Sequence, residues 1–487
     1  MRRFFDSGRT RDITFRKEQL LKVRQLMEEN MESLTGAIHA DIHRSESEGF
    51  LFEMLQSLNE VTTFLANVEE WAAPKAVQKG VLQALDKAAY IHKDPLGLVL
   101  IIAPWNYPVF LTIMPLIGAI GAGNCVVLKP SEIAPNTAAL LSNLVRKYFA
   151  PEYIRVIEGG VAETTELLKE RFDYVFYTGA PSVGKIVMSA AAKHLTPVTL
   201  ELGGKCPAII DRSLSNLKIA AKRIAWGKFM SCGQTCLAPD HIMCFEEDRA
   251  AILAGLKEAV EEFYGTNPQK ATDYSRIISQ RHFDRLEPLI EGGGGEVVMG
   301  GRRVREDLYI EPTVLINVKL SDPIMQEEIF GPILPILTIR SVQDAVQFVN
   351  ERSLQGHKPL ALYIFSDKQG TVDEVLEATS SGGCTVNDVI LHMGLDTLPF
   401  GGVGYSGMGR YHGKFTFDTF THEKAVLHRN LTGESLLWMR YPPYDESKLW
   451  WAKKLFTKHM LPNISFFKYI PYILFGILLG YLLAHYK

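Results

Sequence analysis

A cysteine in a polar, glycine-containing stretch is the first chemical candidate in this 487-residue chain: Cys236, in Ser231-Cys232-Gly233-Gln234-Thr235-Cys236. A buried cysteine usually acts as an inert small hydrophobe, and Cys232-x₃-Cys236 has the spacing of half a metal site. No second Cys/His pair completes such a site, so no metal is expected. The polar setting suits a thiolate nucleophile instead. A second candidate is Gly179-Ala-Pro-Ser-Val-Gly184-Lys185, which follows an apolar run and matches a phosphate-binding loop until Ile186. That loop needs Ser or Thr there to hold Mg²⁺, which argues against an NTPase. A strand-to-helix turn with glycine at both ends still offers backbone N–H groups to an anion such as a dinucleotide pyrophosphate. Gly402-Val-Gly404-Tyr-Ser-Gly407 has the GxGxxG spacing of a dinucleotide-binding turn, but with no βαβ unit around it, and reads as a structural loop.

The elements that must position these groups follow from periodicity. Leu20, Val23, Met27, Met31, Leu34 and Ile38 recur at helical spacing, as do Leu51, Met54, Leu58, Val61, Leu65 and Val68, which predicts two amphipathic helices. Short β-rich runs follow at 99–103, 125–128, 154–157, 174–177 and 198–200, separated by helical stretches near 135–149, 161–170 and 183–193. That alternation is the signature of βαβ units and a parallel sheet. A second α/β series begins with a strand at 206–211, helices near 215–230 and 248–264, and strands near 309–316 and 333–339. The glycine-rich stretch 291–301 reads as a mobile surface turn.

Net charge is −3 with apolar residues at 47%, so there is no basic field for a nucleic acid and no sign of global disorder. Six cysteines in apolar or glycine-containing segments are expected to be free thiols of a reducing compartment. The N-terminus lacks the apolar stretch of a secretory signal. Residues 431–487 are different material: seven Lys or Arg against three Asp or Glu, with no charge from 469 to 484. Those sixteen residues would extend about 24 Å as a helix, so a span needs 461–467 and a snorkelling Lys468 as well; a core or interfacial helix is the alternative. Lysines on the near side place the preceding segment in the cytosol.

Taken in order, Pro104-Trp105-Asn106-Tyr107-Pro108, Lys129-Pro-Ser-Glu132, Tyr177-Thr-Gly179 with Gly184, Glu201-Leu-Gly-Gly-Lys205, Gly233-Gln-Thr-Cys236, Glu327-Glu328-Ile-Phe330-Gly-Pro332 and Pro399-Phe-Gly-Gly402 resemble the aldehyde dehydrogenase superfamily over roughly residues 10–430. The short N-terminal segment, HLTPVTLELGGK and YHGKFTFDTF resemble its class 3 branch, and the apolar tail resembles that branch's membrane-bound, fatty-aldehyde-oxidising members.

The resemblance implies an α/β fold: a Rossmann-like NAD-binding domain (1–78 and 96–201), an α/β catalytic domain (202–415), a small β bridging arm for oligomerisation (79–95 and 416–430), a basic linker (431–460) and a C-terminal membrane helix (461–486). It implies Cys236 as nucleophile, Asn106 as oxyanion donor, Glu201 as general base and Glu328 as a second carboxylate near the nicotinamide ribose. Lys129, Glu132, Gly179, Gly184, Glu328 and Phe330 would hold NAD; the Glu132 carboxylate disfavours the extra phosphate of NADP, which remains a weaker alternative. Phe330 and Phe400 are candidate nicotinamide or substrate walls, and Trp105, Tyr107, Trp226 and Phe229 candidate walls of an apolar entry channel, with core packing the alternative for each. Ser231-Cys232 and Cys384-Thr-Val-Asn387-Asp388 depart from the usual pattern. The expectation is a homodimer on the cytosolic face of the endoplasmic reticulum membrane, or of a peroxisomal or mitochondrial outer membrane, oxidising medium- to long-chain aldehydes. The competing readings are a Cys-dependent acyl hydrolase without hydride transfer and a non-catalytic membrane-tethered protein.

Overall fold

The computed structural model describes residues 1–79, 86–432 and 434–456. It divides into two units, residues Met1–Pro74 with His92–Lys424, and Lys75–Ile91 with Ala425 onward. The expected membrane helix at 461–486 lies outside the described residues, and among the described residues no helix is long and apolar enough to cross a membrane.

Two sheets organise the first unit. Strands β1 (Leu98–Ile102), β2 (Cys125–Lys129), β3 (Ile154–Val156), β4 (Tyr174–Thr178) and β5 (Val198–Glu201) form a parallel set in the order β5-β4-β1-β2-β3. Each run is apolar because both sheet faces are covered, as parallel sheets require. The order reverses between β1 and β4, and in open α/β sheets the crevice beyond the strand ends at that reversal is where ligands bind. The second sheet runs β8 (Glu296–Met299), β9 (Thr313–Ile316), β10 (Ile333–Ile339), β7 (His241–Phe245), β6 (Pro207–Ile210), β11 (Ala361–Phe365) and β12 (Gly383–Val386). Only β8 is antiparallel to its neighbour. A short strand β13 (Gly407–Met408) closes the first sheet, antiparallel to β5.

Several expectations change. The first helical pattern is two helices, Ile13–Glu29 and Met31–Ile42, broken at Asn30, whose side chain turns back to the Leu26 carbonyl and reaches the Tyr148 hydroxyl. Apolar spacing runs through the break, so periodicity could not see it. The stretch 291–301 is not simply a turn: Glu296–Met299 pairs with Thr313–Ile316. The run 309–316 is likewise two strands, Tyr309–Ile310 pairing with Arg303–Val304 and Thr313–Ile316 joining the large sheet. In the arm segment expected at 416–430 the strand begins only at Thr421, because Gly413–Thr419 is a helix whose first N–H, that of Gly413, is held by Glu60.

The helix Phe110–Ala122 carries the site's floor. All thirteen of its residues are buried, and each fully buried Leu, Ile, Met or Phe contributes roughly 1.5–3 kcal/mol. Close packing uses its glycines: a Cβ on Gly118 would stand 2.1 Å from Thr416 Cγ2, and one on Gly121 2.4 Å from Phe64 Cδ1. Its N-terminus receives Glu53, whose Oε2 accepts from Val109 N at 2.8 Å and Phe110 N at 3.1 Å. In the second unit, Lys75 and Ala76 pair antiparallel with Ile91 and Tyr90, and Arg429 bonds Asp86.

Candidate active site

Two cavities meet at Cys236. One is apolar, walled by Tyr107, Phe110, Trp226, Leu237, Ile390 and Phe400. The other is more polar and runs past Asn106, Gly179, Ser182, Lys185, Glu328 and Phe330. Cys236 and Glu201 line both. A group entering from the apolar side and one entering from the polar side therefore face the same sulfur and the same carboxylate.

Cys236 sits after a strained turn. Ser231, Cys232 and Gly233 have φ of 52°, 54° and 71°, a left-handed conformation that costs non-glycine residues roughly 1–2 kcal/mol each. Gln234 locks the turn: its amide nitrogen donates to Ser231 O (3.1 Å) and Arg276 O (2.9 Å), and its oxygen accepts from Ile278 N (3.0 Å). At Gly233 a Cβ would lie 2.3 Å from the Gly331 oxygen, so this turn tolerates no side chain there.

Burial, then the carboxylates of Glu328 and Glu201, push the Cys236 thiol up to about 12, against two backbone N–H groups, its own and that of Leu237, that favour the thiolate. The sulfur is thus a thiol at neutral pH, and attack requires a base to take its proton. Glu201 ends β5, is fully buried, and has neither carboxylate oxygen hydrogen-bonded. Burial raises it well above the ordinary carboxylate range. A carboxylate so raised takes protons more readily than a solvated one.

Asn106 follows β1. Its side-chain nitrogen donates to Gln234 O at 3.0 Å, which fixes the amide beside the cysteine loop and leaves its second hydrogen for another acceptor. Glu328 lies against the chain at Gly203-Gly204, accepting from Gly204 N–H; burial first, then Asp240, raises it to about 8. Lys205 and Asp240 anchor this stretch, the lysine donating to Ile324 O and Glu327 O (both 2.9 Å) and Asp240 accepting from Ile329 N (2.8 Å). Phe330 stands edge-on to Trp105, with centroids 5.4 Å apart.

Not every expected residue reaches the cleft. Gly179 lines it, but Gly184 does not: a Cβ there would be 2.9 Å from Leu202 Cδ2, so this glycine serves helix-to-strand packing. Lys129 and Glu132 pair with each other at 3.2 Å at the end of β2, outside the lining of either cavity. Phe229 is core, 1% exposed, whereas Trp226 and Phe400 wall the apolar cavity and Trp105 the polar one. Among the described residues no group of His, Cys, Asp or Glu could hold a metal ion, and all six cysteines are free. Arg44, Glu53 and Gln234 escaped the sequence reading as individual residues, because nothing local marks a side chain whose further partners lie on distant segments.

The sequence model described as the aldehyde dehydrogenase family matches residues 2–426. The chain belongs to the aldehyde dehydrogenase family. It is 48% identical to aldehyde dehydrogenase family 3 member A2 of Mus musculus over 470 residues, 96% of each protein. It is 49% identical to the dimeric NADP-preferring aldehyde dehydrogenase of Canis lupus familiaris, covering 90% of this chain and 95% of that one. Among solved structures, the substrate-bound state of Staphylococcus aureus AldH superposes with a TM-score of 0.90 at 42% identity, covering 94% and 98% of the two chains.

As an aldehyde dehydrogenase, the protein is an NAD(P)-dependent oxidoreductase acting on aldehydes. The residues present fit a dinucleotide. The polar cleft opens where β1 and β4 diverge, and it receives the N-terminus of the helix Pro181–Ala192, which has no side-chain cap. Unpaired N–H groups there suit a pyrophosphate, with Ser182 and Lys185 adding donors. One consequence concerns Gly203, where a Cβ would lie 2.0 Å from Glu328 Oε2. In this dehydrogenase Gly203→Ala is expected to displace Glu328 and lower kcat/KM about 10- to 100-fold. Steady-state rates for the variant check this.

Proposed function

We propose that this enzyme oxidises medium- to long-chain aliphatic aldehydes to carboxylic acids through a covalent Cys236 thioester, with NAD preferred. The observation that carries the reading is the meeting of an apolar cavity and a dinucleotide-type cleft at Cys236 and Glu201. In this reading the six-stranded sheet is the nucleotide-binding half and the seven-stranded sheet the catalytic half, with Lys129 and Glu132 at the ribose end of the cofactor.

Cys236 loses its proton to a base and its sulfur bonds the aldehyde carbon, giving a thiohemiacetal with a negative oxygen. The Asn106 amide donates to that oxygen, a contribution of roughly 3–4 kcal/mol for a well-placed donor. NAD, when bound, would supply the acceptor for the hydride that leaves the aldehyde carbon. Cys236 then holds the acyl group as a thioester. Glu201 takes a proton from water as the water attacks, releasing the acid and restoring the thiol. Glu328 and Phe330 flank the polar side and orient what binds there.

The apolar lining supports aliphatic chains, because each buried methylene contributes about 0.8 kcal/mol. The tail's composition supports membrane anchoring on the cytosolic face of the endoplasmic reticulum, where such aldehydes partition. The resemblance to a relative named as dimeric supports a homodimer. The test is an aldehyde series from two to sixteen carbons, read as initial rates of NADH formation. kcat/KM is expected to rise at least tenfold across the series. A flat profile would end the fatty-aldehyde reading and leave the dehydrogenase assignment standing.

A further inference from the structure

Arg44 belongs to none of the motifs above, yet its side chain is fully buried and its partners come from three separate segments. One terminal nitrogen pairs with Glu53. The other donates to the Asn106 carbonyl oxygen at 2.6 Å and to the Ser231 hydroxyl oxygen. The guanidinium carbon stands 4.2 Å from the centroid of the Tyr107 ring. Glu53 extends the linkage, since its second oxygen holds the N–H groups of Val109 and Phe110 that start the floor helix.

One side chain thus touches both sides of the reacting centre. Asn106 carries the amide assigned to the oxyanion, and Ser231 opens the left-handed turn that leads to Cys236. That turn is disfavoured for any residue with a Cβ and persists only where its surroundings hold it. A planar guanidinium presents several donors in a fixed fork, so it can grip a carboxylate, a carbonyl and a hydroxyl together. A lysine, with a single nitrogen, cannot keep that geometry.

We propose that Arg44 is a positioning residue for the reaction: by holding the Asn106 carbonyl and the Ser231 hydroxyl at once, it sets the Asn106 amide against the Cys236 sulfur. The inference rests on the roles proposed above for Asn106 and Cys236.

The test uses the full chain and reads the single-turnover rate of NADH formation with NAD and an aliphatic aldehyde at saturation, beside NADH affinity and melting temperature. Arg44→Met alone would leave Glu53 buried without a partner, so it is combined with Glu53→Gln, which keeps an acceptor for Val109 N–H. The double variant is expected to stay folded and bind NADH within threefold of the parent, while the single-turnover rate falls at least tenfold. Arg44→Lys is expected to recover part of that rate and remain at least threefold below the parent. A folded double variant within threefold of the parental rate would overturn the proposal, because Arg44 would then only neutralise Glu53. Should the double variant not fold, Arg44→Lys decides: a rate indistinguishable from the parent overturns the proposal. Asn106→Ala separates the two levels. If it keeps the parental rate, the oxyanion role fails and this inference with it; if it is slow while the Arg44 variants are not, only the inference fails.

Discussion

Cys236→Ala is expected to lower aldehyde-dependent NADH formation by roughly 10⁴-fold or more, since it removes the atom that must bond the aldehyde carbon. The other thiols offer no substitute. Cys125, Cys206, Cys232 and Cys244 are buried, Cys384 is half-buried, and none lines either cavity. Cys206 touches the Cys236 backbone, but its sulfur is engaged with the Cys236 carbonyl oxygen at 3.4 Å and accepts from Ala361 N at 3.3 Å, and burial holds its thiol protonated. The side chain lost is small and sits at a cavity junction, so melting temperature and NADH affinity should change little. Initial rates with an aldehyde, together with a fluorescence titration of NADH, check both halves. A variant retaining a tenth of the parental rate would mean a different nucleophile. Aldehyde oxidation by the parent without any nicotinamide would sink the dehydrogenase mechanism altogether.

Glu201→Gln is expected to separate the two halves of the reaction. Glutamine keeps the shape and cannot take a proton from water, so steady-state turnover should fall roughly 10²- to 10⁴-fold. Hydride transfer precedes that step, so mixing enzyme, NAD and aldehyde should still give a burst of NADH near one equivalent per site, followed by a slow phase. Loss of burst and turnover together would instead assign Glu201 to the first step. The pH profile adds a sign. Burial raises Glu201 in the folded state above its unfolded value, so the base form, and with it kcat, grows as pH climbs through that raised pKa. Stability moves the other way. The protonated carboxyl is the form the fold favours, its contribution is complete below the ordinary carboxylate value, and it is lost as pH rises through the folded pKa. Thermal melting should therefore show Glu201→Gln gaining on the parent from pH 5 to pH 8. A constant gap would contradict the buried, unpartnered carboxylate.

Local pattern carried much of the architecture. The five apolar runs at 99–103, 125–128, 154–157, 174–177 and 198–200 are short and bounded by turn residues, and each coincides with a strand to within a residue at either end. Asn30 and the Glu296–Met299 strand were hidden for opposite reasons. Apolar spacing passes straight through Asn30, while glycines on both sides of Glu296–Met299 mask a strand that exists only because Thr313–Ile316 offers it an edge. Cys236 stood out by its polar, glycine-containing setting, whereas Asn106 and Glu201 were reached only through the resemblance; the structure brings all three to one cleft. Their environment was not legible, because burial is a property of the whole assembly: no local feature of Thr199-Leu200-Glu201 says that the carboxylate ends without a hydrogen-bond partner. Arg44 illustrates the limit most sharply, since Asn106 and Ser231 lie 62 and 187 positions away.

The junction at Cys236 has a consequence for how such an enzyme can diversify. Thr178, Glu201, Leu202, Leu111 and Cys236 border both chambers, while Trp226, Ile390 and Phe400 border only the apolar one and Lys185, Arg285 and Phe330 only the other. Under the proposed function, drift in the first private set retunes which carbon skeleton is admitted and leaves the redox partner's berth untouched. Drift in the second does the reverse. Selection can thus edit diet and electron carrier as separate traits, with the five shared residues as the part of the chain least free to vary.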